Sequence, residues 1–322
     1  MRVIVVGAGL AGLSAAGPLV DAGHEVVLHD KGRSPGGRLA TRRIGDAVLD
    51  HGAQFFTVRS DAFVEFVRPH LSSGLVYEWC RGFDGNDGYP RYAVRGGMNA
   101  LAKALAEPLD VRTNSLVFAI RTTPSTGTET GSGDRWQVVL DDGTVEVADA
   151  LVVTCPVPQS YSLLVSAGVE LPVDLIRTGY DRTIVLLATL DGPSAMAAPG
   201  GLQHPTETLS FVSDNHRKGI SDGQALTVHA GAAWSEAHWD DANEDLVTQL
   251  TAAAAPFIGS ANITESQIKK WRFATPRTIW PEPCWSLDTP AGRLVLAGDA
   301  FAGPKIEGAV LSGLAAAAAL LT

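Results

Sequence analysis

The chain of 322 residues carries 25 Lys and Arg against 35 Asp and Glu, and its formal net charge of −10 speaks against nucleic acid or an anionic membrane as partner. That length suffices for two domains with a sizeable core. The 3 cysteines, Cys80, Cys155 and Cys284, form no C-x-x-C pair and the 8 histidines show no ligand spacing, so neither disulfides nor a metal are expected and the compartment reads as reducing.

Residues 2–6 read as a short buried strand, Gly7, Gly9 and Gly12 form G-x-G-x-x-G, and residues 10–22 continue as a small-residue helix. The three glycines differ in what they permit. Gly7 allows a tight turn, Gly9 lets backbone approach a pyrophosphate, and Gly12 lets helix and strand pack closely. The helix N-terminus offers unpaired N–H groups to the phosphates. A second strand, 25–29, ends in Asp30 at the distance expected for a ribose-binding acid, and Lys31 follows it in the same binding segment. The triplet serves NAD and FAD equally well. The next segment, R-S-P-G-G-R with Arg33, Gly36, Gly37 and Arg38, adds a second glycine turn flanked by guanidinium groups suited to phosphate, which a plain NAD dehydrogenase does not need. Taken alone it also fits a solvated basic loop.

Further along, 47–57 reads as extended with a turn at Gly52, and Ser60 or Asp61 caps a helix over 62–70. A strand is expected at 75–79, and a Gly- and Asp-rich loop at 82–96 reaches toward a ligand cavity. Residues 95–101 open a helix running to about Ala106. Residues 111–120 alternate as a strand, 122–133 form a polar hairpin tip, and 136–140 with 145–147 make a hairpin across the turn 141–143. An apolar strand follows at 150–154.

From Pro156 the βα alternation stops, and strands at 183–190, 208–212, 226–231 and 269–273, with a helix at 244–255 capped near Asp241 or Asn243, suggest a separate antiparallel layer. The strand 293–297 ends in Gly298-Asp299. After the loop 300–305, Glu307, Gly308 and Ala309 lead into a final helix whose N-terminus faces a ligand. The apolar start is read as core rather than leader, because cleavage would remove the glycine motif. The Ala-rich stretch 315–321 is far shorter than the roughly 20 apolar residues of a span. A cytoplasmic protein without membrane contact is expected.

Six stretches together resemble the FAD-dependent flavoprotein amine oxidase superfamily, and within it the renalase-like branch. They are V-G-A-G-L-A-G-L-S-A-A at 6–16, Asp30, G-G-R at 36–38, D-H-G-A-Q-F-F at 50–56, G-G-M at 96–98 and G-D-A-F-A-G-P-K-I-E-G-A-V-L-S-G at 298–313. The resemblance implies an α/β fold of the p-hydroxybenzoate hydroxylase type: a Rossmann-type FAD-binding domain from 1–60, 95–155 and 285–322, and a mixed or antiparallel-sheet substrate domain from 61–94 and 156–284. It implies that Asp30 binds the adenosine ribose and Arg38 the diphosphate, and that Gln54 with the Gly52-Ala53 backbone approaches the flavin ring. Val117 matches the position whose backbone binds adenine, although a core valine fits it as well. Asp299 faces the ribityl chain or diphosphate, and Gly308-Ala309 place helix N–H groups near the pyrimidine carbonyl. No flavin-side lysine is assignable, and Cys284 lies outside any attachment motif, so the FAD is expected to be non-covalent.

The expected activity is an oxidase that takes hydride from a dihydronicotinamide dinucleotide, NAD(P)H or its isomers, onto flavin N5 and is reoxidised by O2 to hydrogen peroxide. Alternatives are an amine oxidase, a flavin-binding redox module without turnover, and an NAD-dependent dehydrogenase. His51, Phe55, Tyr92, Trp271, Arg272 and Trp280 lie in segments expected to border the ring, each equally explicable by packing.

Overall fold

The computed structural model describes residues 1–83, 88–123, 134–301 and 303–322. Most of the hairpin tip 122–133, part of the loop 82–96 and Ala302 in the loop 300–305 lie outside the described residues. The described chain divides into two compact units, Met1–Gly37, Ala102–Gly179 and Pro276–Thr322 in the first, Arg38–Leu101 and Tyr180–Thr275 in the second.

The first unit is built on a six-stranded sheet in the order Trp285–Thr289, Gly292–Leu296, Ala150–Val153, Arg2–Val6, Glu25–His29, Asp110–Arg112. All neighbours run parallel except the antiparallel edge pair Trp285–Thr289 and Gly292–Leu296. Central strands buried on both faces need continuous apolar runs, and Val3 to Val6 and Leu151 to Val153 supply them. The helix Leu10–Asp21 packs against the C-terminal helix Lys305–Leu321, where a Cβ on Gly313 would stand 2.2 Å from the Ala11 carbonyl oxygen. Their backbones therefore touch.

The strand expected at 111–120 is two strands. Asp110–Arg112 edges the main sheet, and Val117–Thr123 begins a three-stranded antiparallel sheet with Arg135–Leu140 and Val145–Ala148. Between them Asn114 sits at φ 51°, which ends an extended run, and its N–H donates to the Gly32 carbonyl at 2.8 Å. Trp136, fully buried, donates from Nε1 to the Gly292 carbonyl at 3.2 Å and so ties the small sheet to the large one.

The second unit holds a five-stranded sheet in the order Gly201–Gln203, Leu209–Asp214, Ala225–Ala230, Tyr180–Leu190, Ile263–Pro276. Alternation along Tyr180–Leu190 dictates its layers. Ile184, Leu186, Ala188 and Leu190 face a core shared with Leu246, Leu250, Ala254 and Ile258 of the helix Asn243–Ile258. Val185 and Leu187 face Ile44, Ala47 and Leu49 of the hairpin Thr41–Ile44 and Ala47–Asp50.

That hairpin explains why 38–60 packs with the second unit rather than with the nucleotide-binding domain that the sequence suggests for it. Likewise 156–179 and 276–284 pack with the first unit; the helix Val157–Leu164 contacts the strand Val117–Thr123. Ser60 caps the helix Asp61–Ser72 through its Oγ and the Phe63 N–H. The longer helix Asn243–Ile258 begins at Ala242 without a side-chain cap, because Asp241 gives its carboxylate to His238 Nδ1 at 2.7 Å. Gly96 and Gly97, at φ 75° and 101°, form a turn, and the helix expected from Arg95 starts at Asn99.

Candidate functional site

In the first unit the glycine motif forms a cradle. Gly7 sits at φ 103° with its N–H on the His29 carbonyl, and a Cβ on Gly12 would lie 1.9 Å from the Gly7 oxygen. A Cβ on Gly9, by contrast, would meet nothing within 4 Å. The outer face of this loop is open beside the uncapped N-terminus of Leu10–Asp21, as a diphosphate requires. Gly36 donates to the Ala8 carbonyl at 2.8 Å, and Gly37 lies so near that its Cβ would be 3.7 Å from Gly9 Cα. The two glycine turns are one cradle.

Asp30 is half-buried and accepts from the Ala8 N–H at 2.8 Å and the Gly32 N–H at 2.7 Å, bracing the loop. Lys31 is exposed and Val117 is buried at the head of its strand. Two strands along the same carboxyl edge of the sheet, Gly298, at φ 146°, donates from its N–H to Ser312 Oγ at 2.8 Å, and Asp299 beside it is buried. Pro304 provides no cap for the helix that Glu307, Gly308 and Ala309 open, and Gly308 lies so close to Gly303 that a Cβ would fall 1.8 Å from its oxygen. Trp280 pairs with this loop through its N–H and the Ala300 carbonyl at 2.8 Å, and its indole Nε1 is buried without a protein partner.

In the second unit the segment after Asp50 is strapped to 38–40. Ala53 donates to the Arg38 carbonyl at 2.9 Å, and a Cβ on Gly52 would stand 1.9 Å from that oxygen. The Arg38 guanidinium donates to the Ala274 carbonyl at 3.1 Å. Gln54 Nε2 donates to the carbonyls of Asp50 at 2.7 Å and Gly52 at 3.1 Å and lies 3.2 Å from His229 Nε2; Gln54 Oε1 is buried with no partner. His51 stacks on Trp271 at 5.4 Å, and the Trp271 Nε1 donates to the His51 carbonyl at 2.7 Å. Burial, helped by Lys269, pushes the His51 imidazole down to about 4; burial, with His51 and Lys218, takes His229 to about 3. Both rings are neutral at pH 7.

Phe55 joins an aromatic cluster with Phe83 and Phe211, while Tyr92 stacks on Phe56 across a β-bridge. Arg272 is exposed. Sequence reasoning does not find His229, Phe211 or the buried pair Asp50–Lys218. Lys218 follows Asn215-His216-Arg217 in a polar turn, which reads as solvated, and His229 is one polar residue in an apolar strand. Among the described residues no group of three His, Cys, Asp or Glu could hold a metal, and no helix is long and apolar enough to cross a membrane. Within the first unit, the open glycine cradle, the two uncapped helix N-termini and the buried orphan Trp280 Nε1 fit a dinucleotide.

Comparison with known proteins agrees. The family described as flavin containing amine oxidoreductase matches residues 69–321, and an NAD(P)-binding Rossmann-like domain matches 5–68. A hydroxyneurosporene desaturase of Rubrivivax gelatinosus is 45% identical over 58 residues, 18% of this chain and 11% of that protein. A putative flavin-containing monoamine oxidase, AofH, of Mycobacterium tuberculosis is 43% identical over 60 residues, 19% of this chain and 13% of that protein. These alignments thus span about a tenth of the curated relatives. A putative protoporphyrinogen oxidase from Exiguobacterium sp. 255-15 superposes with a TM-score of 0.72 at 13% identity, over 99% of this chain and 98% of its own. Putrescine oxidase bound to putrescine gives 0.71 at 17% identity, over 100% and 99%. The match over most of the chain and the shared two-domain fold lead to one conclusion: the chain belongs to the flavin containing amine oxidoreductase family, with FAD as its cofactor.

Proposed function

We propose that the protein is a renalase-like FAD-dependent oxidase that takes hydride from a dihydronicotinamide dinucleotide, NAD(P)H or an isomer, and passes the electrons to O2. The observation that carries this reading is a cluster in the second unit where neutral His51 and His229, the Gln54 carboxamide and the Trp271 ring lie together, with Lys269 and Arg42 among the charges acting on His51. A dihydronicotinamide ring is flat and neutral and suits such a cluster, whereas an ammonium group seeks carboxylates. Bound FAD supplies the two-electron acceptor and, with O2, yields hydrogen peroxide.

The chain's residues bind and orient. Gly7, Gly9, Gly12, Gly36 and Gly37 give the diphosphate a backbone cradle, Lys31 and Arg38 contribute positive charge near it, and Asp30 offers its remaining lone pairs to a ribose hydroxyl. Val117 takes adenine, and Gly298 and Asp299 take the ribityl end. The helix N-terminus at Glu307, Gly308 and Ala309 stabilises negative charge on the pyrimidine. Gly52, Ala53 and Gln54 present backbone and carboxamide to the ring. His51, Phe55, Tyr92, Trp271 and Arg272 border the substrate. The neutral His51 ring orients substrate by a hydrogen bond and carries no proton to give at pH 7 beyond its own N–H.

An amine substrate is the second reading. A cavity of about 490 Å³ in the second unit is lined by Asp181, Glu207, His204 and Trp234 with no lysine or arginine, a setting that favours a cation. Anaerobic titration of the holoprotein with NADH, NADPH, their isomers and an amine panel separates the two. Bleaching of the visible flavin band by dinucleotides alone supports the proposal, and bleaching by amines alone overturns it.

A further inference from the structure

The Gln54 carboxamide is held from three sides. Its Nε2 faces the carbonyls of Asp50 and Gly52 and the ring nitrogen Nε2 of His229, at 2.7, 3.1 and 3.2 Å. Two of these are obligate acceptors, so the amide cannot turn over without setting its oxygen against two carbonyl oxygens. The side-chain oxygen is left buried with no protein donor, on a residue only 6% exposed. An unmet acceptor at such a place costs stability unless a ligand meets it.

We propose that His229 is a positioning residue: by sharing with the Gly52 carbonyl one of the two Gln54 Nε2 protons it helps hold the carboxamide with Oε1 presented, which makes Gln54 an acceptor for a ring-imide or carboxamide N–H of the bound ligand. Both an isoalloxazine and a nicotinamide carry such an N–H. The inference rests on the family's flavin and on the proposed hydride donor, and it adds a direction to that site: the protein accepts here and the ligand donates. His229 is suited to this role because burial keeps its ring neutral, so Nε2 retains its lone pair.

The test compares His229→Leu, which removes the acceptor, with His229→Gln, which restores one, and with Gln54→Leu, which removes the presented oxygen and the amide nitrogen while keeping the His229 ring. Three readouts are taken on folded protein, verified by circular dichroism: the Kd of the apoprotein for FAD, the two-electron midpoint potential, and the Kd of the oxidised holoprotein for NAD+. Loss of one hydrogen bond predicts roughly 3- to 10-fold weaker binding in His229→Leu and Gln54→Leu, with recovery in His229→Gln. If the donor is the flavin, FAD affinity and potential move while NAD+ affinity holds; if it is the nicotinamide, only NAD+ affinity moves. Unchanged values for both ligands in Gln54→Leu overturn the inference, as does a loss in His229→Leu that His229→Gln fails to recover. The FAD and NAD+ arms need no turnover, so absence of NADH oxidation, which would sink the proposed activity, leaves this test readable.

Discussion

Lys218 Nζ lies 2.7 Å from Asp50 Oδ2, and neither side chain has any exposed surface. The pair is asymmetric. Asp50 also accepts at Oδ1 from Thr41 Oγ1 at 2.6 Å and from the Met98 N–H at 2.8 Å, whereas the ammonium group donates to the Asp50 carboxylate alone among the described residues and sits 5.3 Å from the Trp79 ring. Burial lowers the Lys218 pKa and the neighbouring carboxylate opposes that shift. Because Asp50 starts the segment carrying His51, Gly52 and Gln54, the pair fixes where that segment begins.

Removing one partner leaves the other buried and uncompensated, which costs about 3–5 kcal/mol. Asp50→Ala is expected at the upper end of that range, and Lys218→Met below it, since Asp50 keeps two donors. Urea unfolding of the two variants checks the order. Equal losses would show that the Thr41 and Met98 contacts give the carboxylate no support.

Burial that holds His51 near 4 and His229 near 3 also sets a pH dependence. Below the ordinary histidine value of about 6.5 the unfolded chain takes up protons that the folded chain refuses until these lower values. Stability contributed by the neutral rings is therefore present above about pH 6.5 and is lost as pH falls toward 4 and 3. Each ring accounts for a loss on the order of 1–2 kcal/mol between pH 7 and pH 5. His229→Gln should flatten the fall in urea midpoint over that interval relative to wild type; an identical slope would mean that His229 already titrates as an exposed ring.

Glycine motifs are legible in a sequence because they are local: a strand, a turn of fixed geometry and a helix follow one another within about a dozen residues. The first two strands, the parallel strand at 150–153 and the final strand and helix can all be read for that reason. What escapes depends on pairing across long separations. Nothing near Lys218 signals that its partner lies at Asp50, and nothing near His229 signals Gln54. The residues 47–57 read as extended, but the pairing of Ala47–Asp50 with Thr41–Ile44 is hidden, because Ile44, Ala47 and Leu49 pack on the distant Val185 and Leu187. Asn114 shows the opposite failure, where an alternating pattern conceals a backbone break.

Flavin attachment gives a simple check. The Cys155 thiol is pushed up to about 11 by burial, and burial with Glu282 raises Cys284 as well, so these sulfurs are protonated at neutral pH and poor nucleophiles. Acid precipitation should leave a colourless pellet and put all flavin in the supernatant. Replacing Cys155 and Cys284 by serine should leave the FAD content unchanged.

The cradle separates two glycines that the motif alone treats as equals. At Gly12 a methyl group would fall 1.9 Å from a backbone oxygen, so Gly12→Ala must push helix from strand and costs about 1–3 kcal/mol in folding. At Gly9 the same methyl meets no protein atom, and φ of −75° suits alanine, so Gly9→Ala should fold within about 1 kcal/mol of wild type. It should nonetheless weaken FAD binding at least tenfold, because the methyl stands on the open face of the loop that we assign to the diphosphate. Thermal unfolding of the apoproteins, paired with fluorescence-quenching titration of FAD, distinguishes the two effects. If Gly9→Ala binds FAD as wild type does, the dinucleotide does not use this face of the loop, and the assignment of Gly9 to the diphosphate fails.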